Sequence, residues 1–277
     1  MLRKIAVIIA AAALALTALA APANADPRPR EREVRVMSYN IHHAQGVDGV
    51  LSLDRIAVEI TRADADVIGL QEVDNHWERS DFTDQAQELA DRLGMHVVFG
   101  ANLDLPPAEG QTHNQQYGTA ILSRYPIVRS ENTLLTSIDY PERPTEQRGV
   151  LTATINIRGV RLEVHNTHYD HQRAEQRDLS VTETLEILER NDRPAVLLGD
   201  LNAEPDSAEI QRLTTGLDDA FAGRDDANTL PSELPTKRID YILGRDVSFS
   251  DAEVGTTLAS DHLPVAATIT FSARPGA

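Results

Sequence analysis

Asp200 and Asn202 stand two apart in the segment 195–205, AVLLGDLNAEP, directly after an apolar run of Val196, Leu197 and Leu198. The run reads as a buried strand, and Gly199 lets the backbone bend where the polar residues begin. If the chain stays extended through Asn202, alternation sets a carboxylate and an amide on one face beyond the strand's end. The carboxylate can hold Mg²⁺ or orient a water, while the amide can donate to a phosphoryl oxygen. A strand followed by an Asx turn is the plainer alternative. Similar residues recur where other apolar runs end: Asn40 in SYNI, Glu72 in LQEV, His168 in NTH, and Asp261 with His262 in SDHLPV. A glutamate in such a place is costly to bury unpaired, so Glu72 is either solvated at a rim or satisfied by a cation. Oxygen donors in a chain without cysteine point to Mg²⁺, Mn²⁺ or Ca²⁺. His165, His168 and His171 invite a zinc reading, but on a strand His165 and His168 face opposite ways and cannot share an ion without a bulge. His42 and His43 fit the rim of such a site better than its ligand set.

The elements that must carry these residues follow from hydrophobic periodicity. Strands are expected over 34–41, 67–73, 95–99 and 117–123, with Val34, Val36, Ser38 and Asn40 sharing one face of the first. Leu53, Ile56, Ala57 and Ile60 make a helical stripe within 52–63. Thr83 is placed to cap a second helix that stops at Gly94, and the polar segment 102–116 reads as a surface loop. Strands 151–157 and 160–167 flank Arg158-Gly159 as a hairpin, and a helix over 173–190 leads into the strand before Asp200. Strand 238–243 carries Asp240 in mid-run, and strand 265–271 closes the chain. Helices alternate with strands while hairpins intervene, a mixture that favours α/β layers with mixed sheets over an all-parallel barrel.

The first residues bear on address. Arg3 and Lys4 precede an apolar stretch that ends at Ala23-Asn24-Ala25, a small-x-small exit, so 1–25 is expected to be a cleaved signal peptide and the mature chain a secreted one. The stretch is short for a membrane anchor, and no stable membrane insertion is expected once it is removed. Residues 26–33 (DPRPRERE) read as a flexible leader and 34–272 as one domain, expected to be monomeric. The net charge of −17 over 277 residues argues against tight, non-specific binding of nucleic acid, though a local groove or a metal still admits a phosphodiester. Without cysteine, an exported chain must be stabilised by its core alone.

Taken in order, the segments SYNI, LQEVD, GTAILSRYPI, QRG, NTH, GDLNAEP, RIDYIL and SDHLPV resemble the motifs of the endonuclease/exonuclease/phosphatase superfamily, the DNase I-like metal-dependent phosphoesterases. The resemblance covers nearly the whole mature chain, and eight ordered motifs are far more specific than any one. It implies a four-layered α/β sandwich, two face-to-face mixed β-sheets with helices on the outer faces, and a site at one end. It also implies roles: Glu72 as principal metal ligand with Asn40 and Asp261, Mg²⁺ as the ion, Asp200 as the group that orients or deprotonates water, and Asn202 as a phosphate contact. His262 would contact phosphate or act as base with Asp240 fixing its tautomer, and His168 would be phosphate ligand or acid. Arg148 is open between a phosphate contact and a structural ion pair, Arg238 is placed to neutralise Asp240, and Trp77 and Phe82 are open between substrate contact and packing. The function implied is a secreted phosphoesterase that cleaves a phosphodiester by in-line attack of water. An extracellular endonuclease and a phospholipase C or sphingomyelinase-like enzyme are the alternatives, and a non-catalytic binding protein on the same fold is the reading from another class.

Overall fold

The computed structural model describes residues 31–272, so the expected signal peptide and residues 26–30 of the leader lie outside the described residues. Two six-stranded sheets face one another. The first has β1 (Glu31–Asn40) and β2 (Val67–Asn75) at its centre, flanked by β3 (His96–Leu105), β4 (Gln115–Ser123), β11 (Ser248–Val254) and β12 (Val265–Ser272), in the order β11-β12-β1-β2-β4-β3. The second runs β5 (Ile127–Leu134), β6 (Gly149–Ile157), β7 (Val160–His168), β8 (Ala195–Asp200), β10 (Asp240–Arg245) and β9 (Asp218–Asp219). β1 pairs parallel with β2, and β7 parallel with β8, while the other pairs are antiparallel, so both sheets are mixed as expected.

Strand alternation divides the core into three zones. Val34 and Val36 of β1 meet Val164, Val196, Leu198 and Ile242 between the sheets. Met37 and Tyr39 of the same strand point the other way, packing with Ile56 and Ile60 of α1 (Leu53–Arg62) and Leu89 of α2 (Gln85–Leu93). On the far side, Leu197 and Tyr241 pack with Val181 of α3 (Ala174–Leu188) and Ile210 of α4 (Ala208–Leu213). Each such aliphatic side chain, fully buried, stabilises the fold by about 1.5–3 kcal/mol. The layers are therefore helix, sheet, sheet, helix, the four-layered sandwich the sequence implies.

Several expectations change. Glu31–Glu33 are not a mobile leader: they extend β1 and pair with Ser272, Phe271 and Thr270 of β12. The segment 102–116 is mostly hairpin rather than loop, because β3 and β4 stay paired out to Leu105 and Gln115, where exposed strand ends need no apolar alternation. Asp84, not Thr83, caps α2, its side chain accepting from Gln87 N. Asp240 opens β10 instead of sitting in mid-run, and pairs directly across from Asp200. The extended backbone stops at Asp200: Asn202 takes φ +50°, and its N–H donates to Asp200 Oδ1 at 3.0 Å, the Asx turn of the plainer reading.

Candidate active site

Chain direction and register gather the chemistry at one end of the sandwich. Asn40 ends β1, His168 ends β7, Asp200 ends β8, and Asp240 begins the antiparallel β10 opposite it. Asp261 and His262 lie just before β12. Glu72 reaches the same end through a bulge: the register between β2 and β4 slips between Leu70 and Val73, and Glu72 takes φ +57°. A non-glycine residue in that region costs about 1–2 kcal/mol, and a bulge re-aims a side chain out of the ladder.

Asp200 is the hub. Its Oδ2 accepts from Asn40 Nδ2 at 3.0 Å and faces His168 Nε2 at 3.5 Å and His262 Nε2 at 3.6 Å. Burial raises its pKa, opposed by His262 and reinforced by Asp240, to about 7. Asn40 Nδ2 also donates to Glu72 Oε1 at 3.1 Å, so one amide ties the two carboxylates together across the sheets. Asn40 Oδ1 accepts from His42 N at 3.0 Å, which leaves it one lone pair for a cation.

The two site histidines differ in charge. His262 Nδ1 lies 2.9 Å from Asp240 Oδ2. Burial alone depresses an imidazole, but the carboxylates of Asp240 and Asp200 overcome it and carry His262 up to about 10. His168 Nδ1 faces Arg148 Nη1 at 3.1 Å. A guanidinium only donates, so His168 Nδ1 accepts and its proton sits on Nε2, directed toward Asp200. Burial first, then Arg148, holds His168 well below its ordinary value, and it is neutral.

Other sequence expectations sort as follows. Arg148 is buried, and besides His168 it ion-pairs with Glu146 at 2.5 Å, so it has a structural partner and also positions a site histidine. Arg238 does not neutralise Asp240; it pairs with Asp219 at 2.7 Å and lies over Tyr241. Asn202 directs its amide to Tyr169 O at 3.1 Å, beside Asp200. Trp77 packs under Arg79, and Phe82 N bonds Trp77 O. His165 bonds Thr152 and His171 bonds Gln172, away from His168, so the three do not form a zinc site.

Asp261 lies at the rim beside His42. Its side chain is 44 % exposed and its oxygen lies 3.8 Å from His42 Nδ1. The donors that converge with Glu72 are instead His42 and His43, one ligand atom from each lying within 4.8 Å of the others. These two residues read as rim in the sequence, and only the left-handed backbone at His42 and His43 turns them inward, which alternation does not reveal. A second converging group is Asp200, Asp240 and His262, in which His262 already bonds Asp240 at 2.9 Å and faces Asp200 at 3.6 Å. The donor set around Glu72, with a carboxylate anchored on one side by Asn40, fits a divalent cation.

Comparison with known proteins agrees with this geometry. A family model described as Endonuclease/Exonuclease/phosphatase family matches residues 37–262. The protein cwh43 of Schizosaccharomyces pombe is 32% identical over 159 residues, a match that covers 56% of this chain but only 15% of that protein. YbhP of Escherichia coli K12 is 29% identical over 255 residues, covering 85% of this chain and 95% of YbhP. Among solved structures, an endonuclease/exonuclease/phosphatase from Beutenbergia cavernae superposes with a TM-score of 0.73 at 27% identity, over 89% of this chain and 73% of that one.

Proposed function

Because the chain belongs to the endonuclease/exonuclease/phosphatase family, we propose that it is an exported phosphodiesterase that uses a divalent cation and an activated water. The observation that carries this reading is Asp200, a buried carboxylate facing two imidazole Nε2 atoms and tied through Asn40 to Glu72. The residues divide the work of an in-line displacement. With its pKa raised to about 7, Asp200 orients a water and takes its proton near neutral pH. His262, charged and held by Asp240, directs an N–H into the site to stabilise a phosphoryl oxygen, and it is the proton source facing the leaving group. His168 offers a neutral N–H whose direction Arg148 fixes. Glu72, with Asn40 beside it and Asp261 at the rim, would hold the divalent ion, which when bound would supply Lewis-acid neutralisation of phosphate charge.

The arginines around the site favour a small or lipid-borne diester over a nucleic-acid polymer. Arg79, Arg143, Arg148 and Arg173 each face a carboxylate of the protein, Asp74, Asp170, Glu146 and Glu142, which offsets part of their charge. The test is hydrolysis of bis-p-nitrophenyl phosphate, p-nitrophenyl phosphate, plasmid DNA and sphingomyelin vesicles, each with Mg²⁺ and with excess EDTA. Metal-dependent cleavage of the diester supports the reading. Full activity in EDTA, or cleavage of the monoester alone, contradicts it. Export is checked by N-terminal sequencing of protein recovered outside the cell, which is expected to begin at Asp26.

A further inference from the structure

We propose that His42 and His43 join Glu72 in a two-histidine, one-carboxylate site that selects a first-row transition-metal ion over Mg²⁺, and that Gln45 sets both imidazoles in the ligating tautomer. The proposal rests on the reading of Glu72 as an ion ligand and adds to it the identity of the other donors and the class of ion.

Gln45 contacts both imidazoles. Its side-chain Nε2 donates to Gly49 O at 3.2 Å, which fixes the amide so that Oε1 is the end facing His43. That oxygen lies 3.2 Å from His43 Nε2 and only accepts, so His43 carries its proton on Nε2 and keeps a lone pair on Nδ1. The backbone carbonyl of the same residue lies 3.2 Å from His42 Nδ1. It too only accepts, so His42 is protonated on Nδ1 and keeps a lone pair on Nε2. Asp261, 3.8 Å from His42 Nδ1, stands behind the same proton. One glutamine thus leaves one free nitrogen on each ring. A ligating histidine is usually held in this way, its second ring N–H donated to a carbonyl or carboxylate.

The loop that presents these rings is fixed on both sides. His42, His43 and Ala44 hold φ of +46°, +43° and +63°, three consecutive non-glycine residues in the left-handed region. Gln85 Nε2 donates to His43 O at 2.7 Å, and Ser52 N to Ala44 O at 2.8 Å, so neighbouring elements clamp the turn. The rings meet edge to face with centroids 4.6 Å apart, beside Glu72. Such conformations persist where the surroundings over-determine them, and sites that bind ligands are where they gather. Mg²⁺ favours oxygen donors and keeps its waters, whereas imidazole suits Fe²⁺, Co²⁺, Ni²⁺ and Zn²⁺. Two imidazoles and one carboxylate therefore discriminate between the two classes.

The experiment is titration of the metal-free protein with Co²⁺, read by its visible absorption, and with Mg²⁺ in competition. The wild type is expected to bind Co²⁺ with a nitrogen-ligated spectrum and to retain it against excess Mg²⁺. His42→Asn with His43→Asn should lose that preference, the two ions then competing on similar terms. Gln45→Ala, with every ligand in place, should weaken Co²⁺ binding by about 10- to 100-fold. Circular dichroism and thermal unfolding of each metal-free variant check that the fold is kept. Equal Co²⁺ affinity in the wild type and the double variant overturns the proposal while leaving Glu72 as a ligand. Uptake of neither ion by the wild type overturns both the proposal and the reading on which it rests.

Discussion

The site has two halves that solve different electrostatic problems. On the second sheet, Asp200, Asp240, His168 and His262 have side chains 2 %, 0 %, 6 % and 7 % exposed, and each is bonded to or faces another member. On the first sheet, Glu72 is half-buried and His42 has a side-chain exposure of 35 %, with ring nitrogens left free of protein partners. Burial shifts proton affinities, and the buried half holds one charged and one neutral imidazole around a carboxylate raised to about 7. The open half keeps one nitrogen of each imidazole unengaged and so can serve a cation. Asn40 alone bonds across from one carboxylate to the other. In the proposed reaction, proton handling and ion binding are thereby adjacent but separable, and each substitution below moves one without the other or shows that the division is false.

The largest effect is expected from Glu72→Gln. It should remove turnover and ion binding together while the thermal unfolding of the metal-free protein stays near wild type, because the carboxylate is half-exposed and its main fixed partner is a single amide. Full turnover in that variant breaks the comparison from the ion side. Next is Asp240→Asn, which deprives the His262 imidazolium of its carboxylate. The rate is expected to fall by about 10² to 10⁴, with ion affinity unchanged. Combined with His262→Ala it should be little worse than His262→Ala alone, since paired residues act as one unit. A multiplicative loss, or a large loss of ion affinity on changing Asp240, moves that carboxylate into the metal shell.

The pH profile follows in size. Asp200 must be ionised to act as base, so kcat/KM should rise about tenfold per pH unit below about 7 and level off above it. His262 must stay charged, so the rate should decline again near pH 10. The same histidine contributes to stability: its folded-state pKa lies above 6.5, so the contribution is fully present below that value and is lost as pH rises toward 10. Thermal unfolding between pH 6 and 10 measures this loss, and Asp240→Asn should flatten it. The smallest effect is expected from Arg148→Met. Releasing His168 Nδ1 from its donor should lower the rate about tenfold and leave the ion untouched. A loss as large as that of Asp240→Asn would mean that Arg148 binds the substrate itself.

How much of this was legible in the sequence depends on burial. β1, β2 and β8 are covered on both faces, and their apolar runs and alternation show where they lie, although β2 runs on through its bulge at Glu72 to Asn75. The edge strands β5 and β11 are mostly exposed, so neither has an apolar face to reveal it, and α4 has only six residues. Glu31–Glu33 pair with β12 through the backbone, which charged residues in a leader-like segment conceal. At the site, Asn40, Glu72, His168, Asp200 and His262 were legible as polar residues closing buried strands or sitting beside them. Asp240 was found but misplaced, because the buried Ile239 before it imitates the start of the strand. Asn202 was found but wrongly aimed, because the turn at φ +50° ends the alternation. His42 and His43 depend on left-handed backbone, which no periodicity encodes.

The most direct test of the division is a calorimetric titration of divalent cation into Asp200→Asn and Glu72→Gln side by side, with turnover measured on the same preparations. Both variants are expected to lose turnover, while Asp200→Asn keeps the ion affinity of the wild type and Glu72→Gln loses it. Equal loss of ion affinity in the two variants would contradict the account, placing Asp200 in the metal shell and merging the two halves into one.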